Sequence, residues 1–365
     1  VLKLQRFIFG LCLCCLCPVL SAQHIVEGKV FDLGNFQPVR LCNVFVVGTT
    51  MGAATDSTGY YRFEIDRPGK YELVFSHIAY KPELIDIEIS DDTLLIDPMP
   101  LNVNTRFVEE VVVTGKKDRK WQRMYDRFIN YAMGKHFREK KVEIMNPYVV
   151  DFKATGRDMI TESQPFTLSI RNDYTGYEIN FLVQRVFLSK SNQFMVGYPG
   201  FTPLETTNPK QQDDWSKNRQ KAFNGSIRHV FKSILDNQLT AQGFDLELTE
   251  NQAKKFQGPA AKILPLNINN DIHLTEENLS EHVRILDTQE PNIKKLVFEK
   301  FLKVKYLNEI DNYGNPQLTL IKALEGEVLV YTNGIPVNPT ALKLFGYLSG
   351  EGLYEMLPFG YDLSK

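Results

Sequence analysis

TDSTGYYRF, residues 55–63, decides how the N-terminal part of this chain is read. Its oxygen-bearing side chains suit either a small ion-binding loop or a tight turn between two strands. A calcium loop of the EF-hand type places ligands at alternate positions over about 12 residues, with glycine at the sixth. Here Gly59 follows Asp56 by three positions, and an alternating run containing Tyr61 and Phe63 begins at once. That is turn chemistry. An aspartate side chain accepts hydrogen bonds from the backbone just ahead of it, and glycine takes a left-handed backbone angle without a steric penalty. Asp56 and Gly59 are therefore assigned structural turn roles, with Tyr61 and Phe63 entering a core.

Working outward, residues 23–104 carry a succession of short strand patterns separated by turn signals. IVEGKVFD leads to the turn-forming LGNFQPV, and CNVFVVGT is a β-branched and aromatic run. GYYRFEI, GKYELVFSHI and ELIDIEIS alternate apolar and polar residues with period two. About seven strands without a helical pattern predict a small β-sandwich. The whole chain of 365 residues is 43% hydrophobic and 12% aromatic, with a net charge of −2. Nothing in that balance calls for nucleic acid as a partner.

The first 22 residues stand apart. Lys3 and Arg6 precede an unbroken apolar run from Phe7 to Leu16, followed by Pro18 and small residues. This is the pattern of a secretory signal peptide ending at Ala22. The run is too short for a membrane span, which needs about 20 apolar residues, so no transmembrane segment is expected in the mature chain. Four of the five cysteines leave with this segment, and none follows the small residue that lipidation requires. Cys42 remains alone, in an apolar strand pattern, and is expected to be a buried small hydrophobe.

Residues 105–120 read as a last strand, Val108 to Thr114, running into a basic linker. Trp121, Met124, Tyr125, Phe128, Tyr131 and Ala132 then form one apolar stripe at helical spacing. The basic residues beside it read as a solvated face. Strand patterns return from about residue 146 to 202. A helix is expected from Trp215 to about Leu239, capped by Asp213 or Asp214 and interrupted at Gly225. Further strands follow, including KILPL, and then a short helix near Thr340 to Gly346. Residues 121–365 are thus predicted to be α+β, with an antiparallel sheet and two or three helices.

Catalytic signatures are sparse. The sequence holds no zincin, P-loop, dinucleotide-binding or nucleophile-elbow motif. His24, His77, His136, His229, His273 and His282 are scattered, so no local metal set is expected, and no cofactor. Ser226 and His229 lie one helical turn apart, a spacing common on any helix. The Gly- and Tyr-rich C-terminal segment is read as a surface loop, with Tyr347, Tyr354, Phe359 and Tyr361 as candidate binding aromatics.

Gly28, Val30 and Asp32; Pro38, Val44, Val46, Gly48 and Thr49; Gly52, Thr55, Asp56, Gly59, Tyr61 and Phe63; and Leu73, Ser76 and Tyr80 recur in one arrangement. In that arrangement, residues 23–104 resemble the carboxypeptidase regulatory-like domain, a transthyretin-like (prealbumin-type) sandwich with no peptidase chemistry of its own. The same domain precedes TonB-dependent receptors of Bacteroidota-type outer membranes, but no barrel-length stretch follows here. Residues 121–365 resemble the companion region of exported proteins carrying this domain, through GYEINFLVQRVF, WSKNRQKAFNGSIRHVFKSIL and MLPFGY. The signal peptide, the resemblance of the sandwich and the missing catalytic motifs together lead to the expectation of an exported, non-enzymatic protein of a Gram-negative envelope, periplasmic or outer-membrane associated. In it the sandwich is a folding or docking module, and the α+β part binds a protein, peptide or glycan. Two alternatives stay open: a hydrolase with a non-local site in residues 121–365, and an adaptor of an outer-membrane TonB-dependent receptor.

Overall fold

The structure, a computed structural model, describes residues 24–361 except 91, 105–118, 135–136, 140, 151–152, 156–157, 161–164, 190–192, 251–270 and 311–313. The expected signal peptide, the strand from Val108 to Thr114 with most of its basic linker, and the KILPL run lie outside the described residues.

The first eight strands are β1 (His24–Asp32), β2 (Asn43–Val46), β3 (Gly52–Ala54), β4 (Tyr60–Ile65), β5 (Gly69–Ser76), β6 (Glu83–Ile89), β7 (Thr93–Leu95) and β8 (Met99–Leu101). They form two sheets. One has the order β4-β1-β7 with β8 also on β1; the other runs β3-β2-β5-β6. Val26, Val30, Phe63 and Ile65 from the first sheet meet Val44, Val46, Leu73 and Phe75 from the second in one apolar core. Tyr61 crosses over Gly28, its partner on β1. A Cβ at position 28 would stand 2.7 Å from the Tyr61 hydroxyl. Cys42 is fully buried in this core, and burial pushes its thiol up to about 12.

The 55–63 stretch forms the turn into β4. Asp56 Oδ1 accepts from the Thr58 backbone N–H at 2.7 Å, the Thr58 hydroxyl at 2.7 Å and the Tyr60 N–H at 3.0 Å. These bonds hold the Asp56 carboxyl below its ordinary range. Gly59 sits at φ +74°, and a Cβ there would lie 2.4 Å from the Val30 carbonyl oxygen.

After the sandwich, α1 (Arg119–Met133) lays Phe128, Ile129, Ala132 and Met133 onto an antiparallel sheet. That sheet contains β9 (Val142–Ile144), β10 (Lys153–Thr155), β11 (Asp158–Ile160), β12 (Phe166–Asn172), β13 (Tyr177–Leu188) and β14 (Gln193–Pro203). Two helices follow, α2 (Pro209–Phe223) and α3 (Ile227–Leu235). The remaining strands are β15 (Phe244–Thr249), β16 (Ile272–Leu274), β17 (Arg284–Asp287), β18 (Ile293–Val297), β19 (Phe301–Ile310), β20 (Pro316–Ala323), β21 (Glu327–Tyr331) and β22 (Leu342–Gly346). They make a five-stranded sheet, β16-β15-β19-β20-β22, and a three-stranded one, β17-β18-β21. Val230, Phe231 and Ile234 of α3 pack into the core between them. The second part is therefore α+β with antiparallel sheets.

Two elements differ from the sequence expectation. The helix expected from Trp215 starts earlier, at Pro209, and ends at Leu235, with the expected interruption at Gly225. Asn208 caps α2 by accepting from Lys210 N–H at 3.0 Å, with Pro209 at the first helical position. An Asn-Pro pair suits that role because proline has no N–H to leave unsatisfied. Gly225, at φ +72° and pressed against Tyr306, breaks the chain, and Ser226 caps α3. The helix expected near Thr340 to Gly346 is one 3-10 turn, Pro339–Ala341, followed by β22. There the free edge of β20 offers ladder hydrogen bonds, and tertiary pairing overrides local preference.

The two parts meet at the turn after β2. Gly48 N–H donates to Pro199 O at 2.6 Å, and Phe201 N–H donates to Thr49 O at 2.9 Å. The turn thus pairs with the outer edge of β14. Beside it Phe45 and Val74 pack on Leu182, and Phe45 covers Gly200 so closely that a Cβ there would fall 2.3 Å from the ring.

Replacing Gly59 with Ala is expected to cost about 1–3 kcal/mol, from the left-handed backbone angle and the contact with Val30. Denaturant titration of the two proteins measures it, and a loss within error of zero would show that the turn tolerates a side chain.

Candidate functional site

The C-terminal segment, residues 347–361, was the sequence's candidate binding region, and the structure locates each of its aromatics. Tyr347 is exposed at the surface. Tyr354 is buried in the core beneath α1, against Tyr174 at a centroid distance of 5.9 Å. Tyr361 packs on the same core beside Phe223. Phe359 is half-buried and lies over Gly48, where a Cβ would come within 2.5 Å of its ring. Glycine-rich spacing suggested a loose surface loop, but Gly352 serves close packing. A Cβ at Gly352 would fall 2.0 Å from the Met133 carbonyl carbon.

A set of polar clamps holds this segment. Arg228 of α3 is buried and donates to Pro358 O at 2.9 Å, Phe359 O at 2.8 Å, Tyr361 O at 2.7 Å and Asn333 O at 3.2 Å. Asn172 is fully buried at the end of β12 and donates to Tyr354 O at 2.8 Å. Its oxygen accepts from Tyr174 and Thr175 N–H, closing the hairpin before β13. From α2, Trp215 donates to Asp173 O, Asn218 to Tyr174 O and Arg219 to Thr175 O. The Arg219 guanidinium also lies 4.3 Å from the Tyr177 ring centroid. Backbone carbonyls that would otherwise be buried unpaired thus find charged or amide donors.

Ser226 and His229 do come together, but in a capping role. Ser226 Oγ donates to Phe223 O at 2.6 Å and accepts from His229 N–H at 3.2 Å. His229 Nδ1 accepts from Gly225 N–H at 3.1 Å, so its Nε2 carries the proton toward Gln242 Oε1 at 3.0 Å. Burial lowers the imidazole pKa, with Gln242 opposing. The hydroxyl donates its hydrogen bond to a carbonyl and the imidazole lone pair accepts from Gly225, so the pair lacks a nucleophile–base bond.

A different constellation, invisible as a motif, gathers at the same segment. Glu309 near the end of β19, Glu351 and Glu355 converge with Tyr174, Tyr347 and Tyr354. Tyr354 donates to Glu355 Oε1 at 2.8 Å. Tyr347 hydrogen-bonds to Glu309, whose Oε2 is buried without a hydrogen bond among the described residues. Burial, then Glu355, then Glu309, raise the Glu351 pKa well above the ordinary carboxylate value, against a hydrogen bond from Ile227 N–H. That N–H opens α3 and has no partner within the helix. Glu351 therefore caps α3 while holding its proton more tightly than a free carboxyl. Burial likewise raises Glu309. Glu309 lies 42 residues before Glu351, a separation no spacing rule connects.

On an outer sheet face, Asp245, Glu247 and His273 bring ligand-type atoms within 4.8 Å of one another. Lysines already neutralise them. Lys305 meets Asp245 at 2.7 Å and Glu247 at 3.1 Å, and Lys303 meets Glu247. Burial pushes Glu247 up, but the two lysines together bring it below its ordinary range. The arrangement is a cross-strand ion ladder over β16, β15 and β19.

Residues 26–113 match the CarboxypepD_reg-like domain, so the N-terminal sandwich is a domain of that family. No curated protein matches the chain. Among solved structures, a cohesin–X-dockerin complex from Acetivibrio cellulolyticus matches with 20% identity and a TM-score of 0.21, over 27% of this chain and 79% of that one. The 5-hydroxyisourate hydrolase of Klebsiella pneumoniae matches with 16% identity and a TM-score of 0.18, over 21% and 93%. A DUF3823 family protein from Bacteroides uniformis ATCC 8492 matches with 7% identity and a TM-score of 0.18, over 85% and 99%. Likeness at this level carries no functional inference. Among the described residues no helix is long and apolar enough to cross a membrane.

Two outcomes are expected from this geometry. Arg228→Met removes the shared donor of the tail and is expected to cost at least about 3 kcal/mol. Limited proteolysis would then release the segment beyond Gly350 first; a tail as protected as in the wild type would contradict the clamp. Glu351→Gln keeps an acceptor for Ile227 N–H and mimics the protonated acid. A raised folded pKa stabilises below the ordinary value of 4.5 and loses that contribution as pH rises through the folded pKa. The variant should melt with the wild type near about pH 4 and above it near about pH 8. Parallel melting curves across that range would show that Glu351 does not hold its proton.

Proposed function

We propose that this is a non-enzymatic, exported binding protein of a Gram-negative envelope, with the sandwich as a docking module fixed to an α+β binding part. The leader-like first 22 residues motivate export. Packing of the turn after β2 against β14 motivates the docking role. The observation that carries the binding role is the carboxylate–tyrosine cluster at the C-terminal segment. There an exposed Tyr347 adjoins Glu309, whose buried Oε2 has no hydrogen bond among the described residues. An aromatic ring beside acidic oxygens suits a partner that brings a cationic or hydroxyl-rich group: a basic protein or peptide segment, or a glycan.

A second reading has its own observation. Burial and the neighbouring Glu355 and Glu309 make Glu351 hold its proton more tightly than a free carboxyl, and a carboxyl with a raised pKa can serve as the acid of acid–base hydrolysis. The two readings divide on turnover.

The test pairs titration of the whole chain against lysine-rich peptides and neutral oligosaccharides with a turnover assay on chromogenic glycosides and esters. Saturable binding that weakens about tenfold in Tyr347→Ala or Glu309→Gln, without turnover, is expected. Turnover abolished by Glu355→Gln would replace the binding reading with the hydrolase. Binding unchanged in both variants would remove the tail cluster as its location.

A further inference from the structure

The five-stranded sheet turns one face to the core around α3 and the other outward. Alternation along β15 sends Leu246 and Leu248 into the core and Asp245 and Glu247 outward. His273, at the centre of the edge strand β16, stands directly opposite Glu247 and diagonal to Asp245. On the other side, Lys303 and Lys305 of β19 stand opposite Glu247 and Asp245. Asp271, just before β16, joins the row through Lys303, 3.4 Å away.

Three of these residues fit a metal ion. Asp245, Glu247 and His273 each offer a ligand atom within 4.8 Å of the other two. His273 Nδ1 and Asp245 Oδ1 are 3.3 Å apart. Bonds of about 2.0 Å around a tetrahedral zinc ion put neighbouring ligand atoms about 3.3 Å apart, so this pair already has the required bite. The register of two paired strands fixes all three positions, and His273, with its side chain 62% exposed, opens the row to solvent.

The ion ladder does not use up these groups. Lys305 donates to Asp245 Oδ2 at 2.7 Å and Glu247 Oε1 at 3.1 Å, and Lys303 donates to Glu247 Oε2 and Asp271 Oδ2. Asp245 Oδ1 and Asp271 Oδ1 are left buried with no hydrogen bond among the described residues. A dehydrated carboxylate oxygen without a donor is costly. Charge is also unbalanced, because the two lysines that offset Asp245 and Glu247 face a third carboxylate in Asp271. A carboxylate oxygen carries two lone pairs, so Glu247 can keep its lysines and still coordinate. Ligating carboxylates in metal sites are commonly backed by hydrogen-bond donors of this kind.

We infer that Asp245, Glu247 and His273 hold a divalent transition-metal ion of the zinc class, with Lys303 and Lys305 steadying the carboxylates from behind. One imidazole with two carboxylates selects such an ion over magnesium or calcium, which take oxygen ligands. The ion ties β16, an edge strand of three residues, to β15. Three protein ligands leave a coordination position on the solvent side for water or an incoming donor. The site is separate from the C-terminal carboxylate–tyrosine cluster and does not rest on the binding role proposed there.

The test is calorimetric titration of the whole chain, stripped with chelator, with zinc chloride near neutral pH. Saturable binding of one ion per chain is expected, weakened at least about tenfold in His273→Gln and in Asp245→Asn. Excess calcium should not displace the zinc. The exposed His273→Gln decides the matter if Asp245→Asn fails to fold. The other histidines are present in every variant, so adventitious binding to them cancels in the comparison. Zinc binding as tight in His273→Gln as in the wild type overturns the proposal. So does ready displacement by calcium, or the absence of saturable binding in the wild type.

Discussion

Phe359 ties three parts of the chain together. Its N–H donates to Gly48 O at 2.6 Å, reaching the sandwich. Its carbonyl accepts from Arg228 and Asn333, reaching α3 and the turn after β21. Its ring lies over Gly48 and 5.6 Å from Tyr331. Position 48 must be glycine both for its left-handed angle of +74° and because any side chain would meet that ring. One aromatic residue near the end of the described chain thus adds a third tie between the N-terminal domain and the rest, beside the pairing with β14 and the Phe45 contact.

This arrangement explains why polar side chains are concentrated where they are. The tail makes little regular secondary structure, so its carbonyls need donors from elsewhere, and Arg228 and Asn172 supply them. The same crowding forces three glutamates close together in partly dehydrated surroundings, raising the proton affinity of Glu309 and Glu351. A structural solution for anchoring the tail has produced its most unusual electrostatic feature. The sandwich shows the reverse economy. Its carboxylates Asp32 and Asp56 are engaged in turns, and Phe36 and Leu41 face solvent.

Much of the fold was legible because it is written locally. The 55–63 turn follows from one aspartate and one glycine at fixed spacing, and the stripe from Trp121 to Ala132 needs only helical periodicity. Elements whose identity depends on a neighbour were misread. Residues 342–346 are a strand because β20 had an open edge, and Gly352 is a packing site because the end of α1 lies against it. Within WSKNRQKAFNGSIRH, the Trp, Arg, Ser and His residues could be singled out in sequence. Their work as clamps and caps appears only once the 173–176 hairpin and the tail are brought beside them.

By itself, then, the sequence determined the class of each part: a turn-rich sandwich identified by Asp56 and Gly59, then an α+β region with a helix broken at Gly225. These are short-range properties, set by backbone sterics and periodic burial within a few residues. Only the tertiary structure decided that Ser226 and His229 serve a cap, that Glu309, Glu351 and Glu355 share one dehydrated corner, and that Phe36 and Leu41 are exposed together at one end of the sandwich. Each depends on long-range proximity and on exclusion from water, and neither quantity is carried by residue order until the chain has folded.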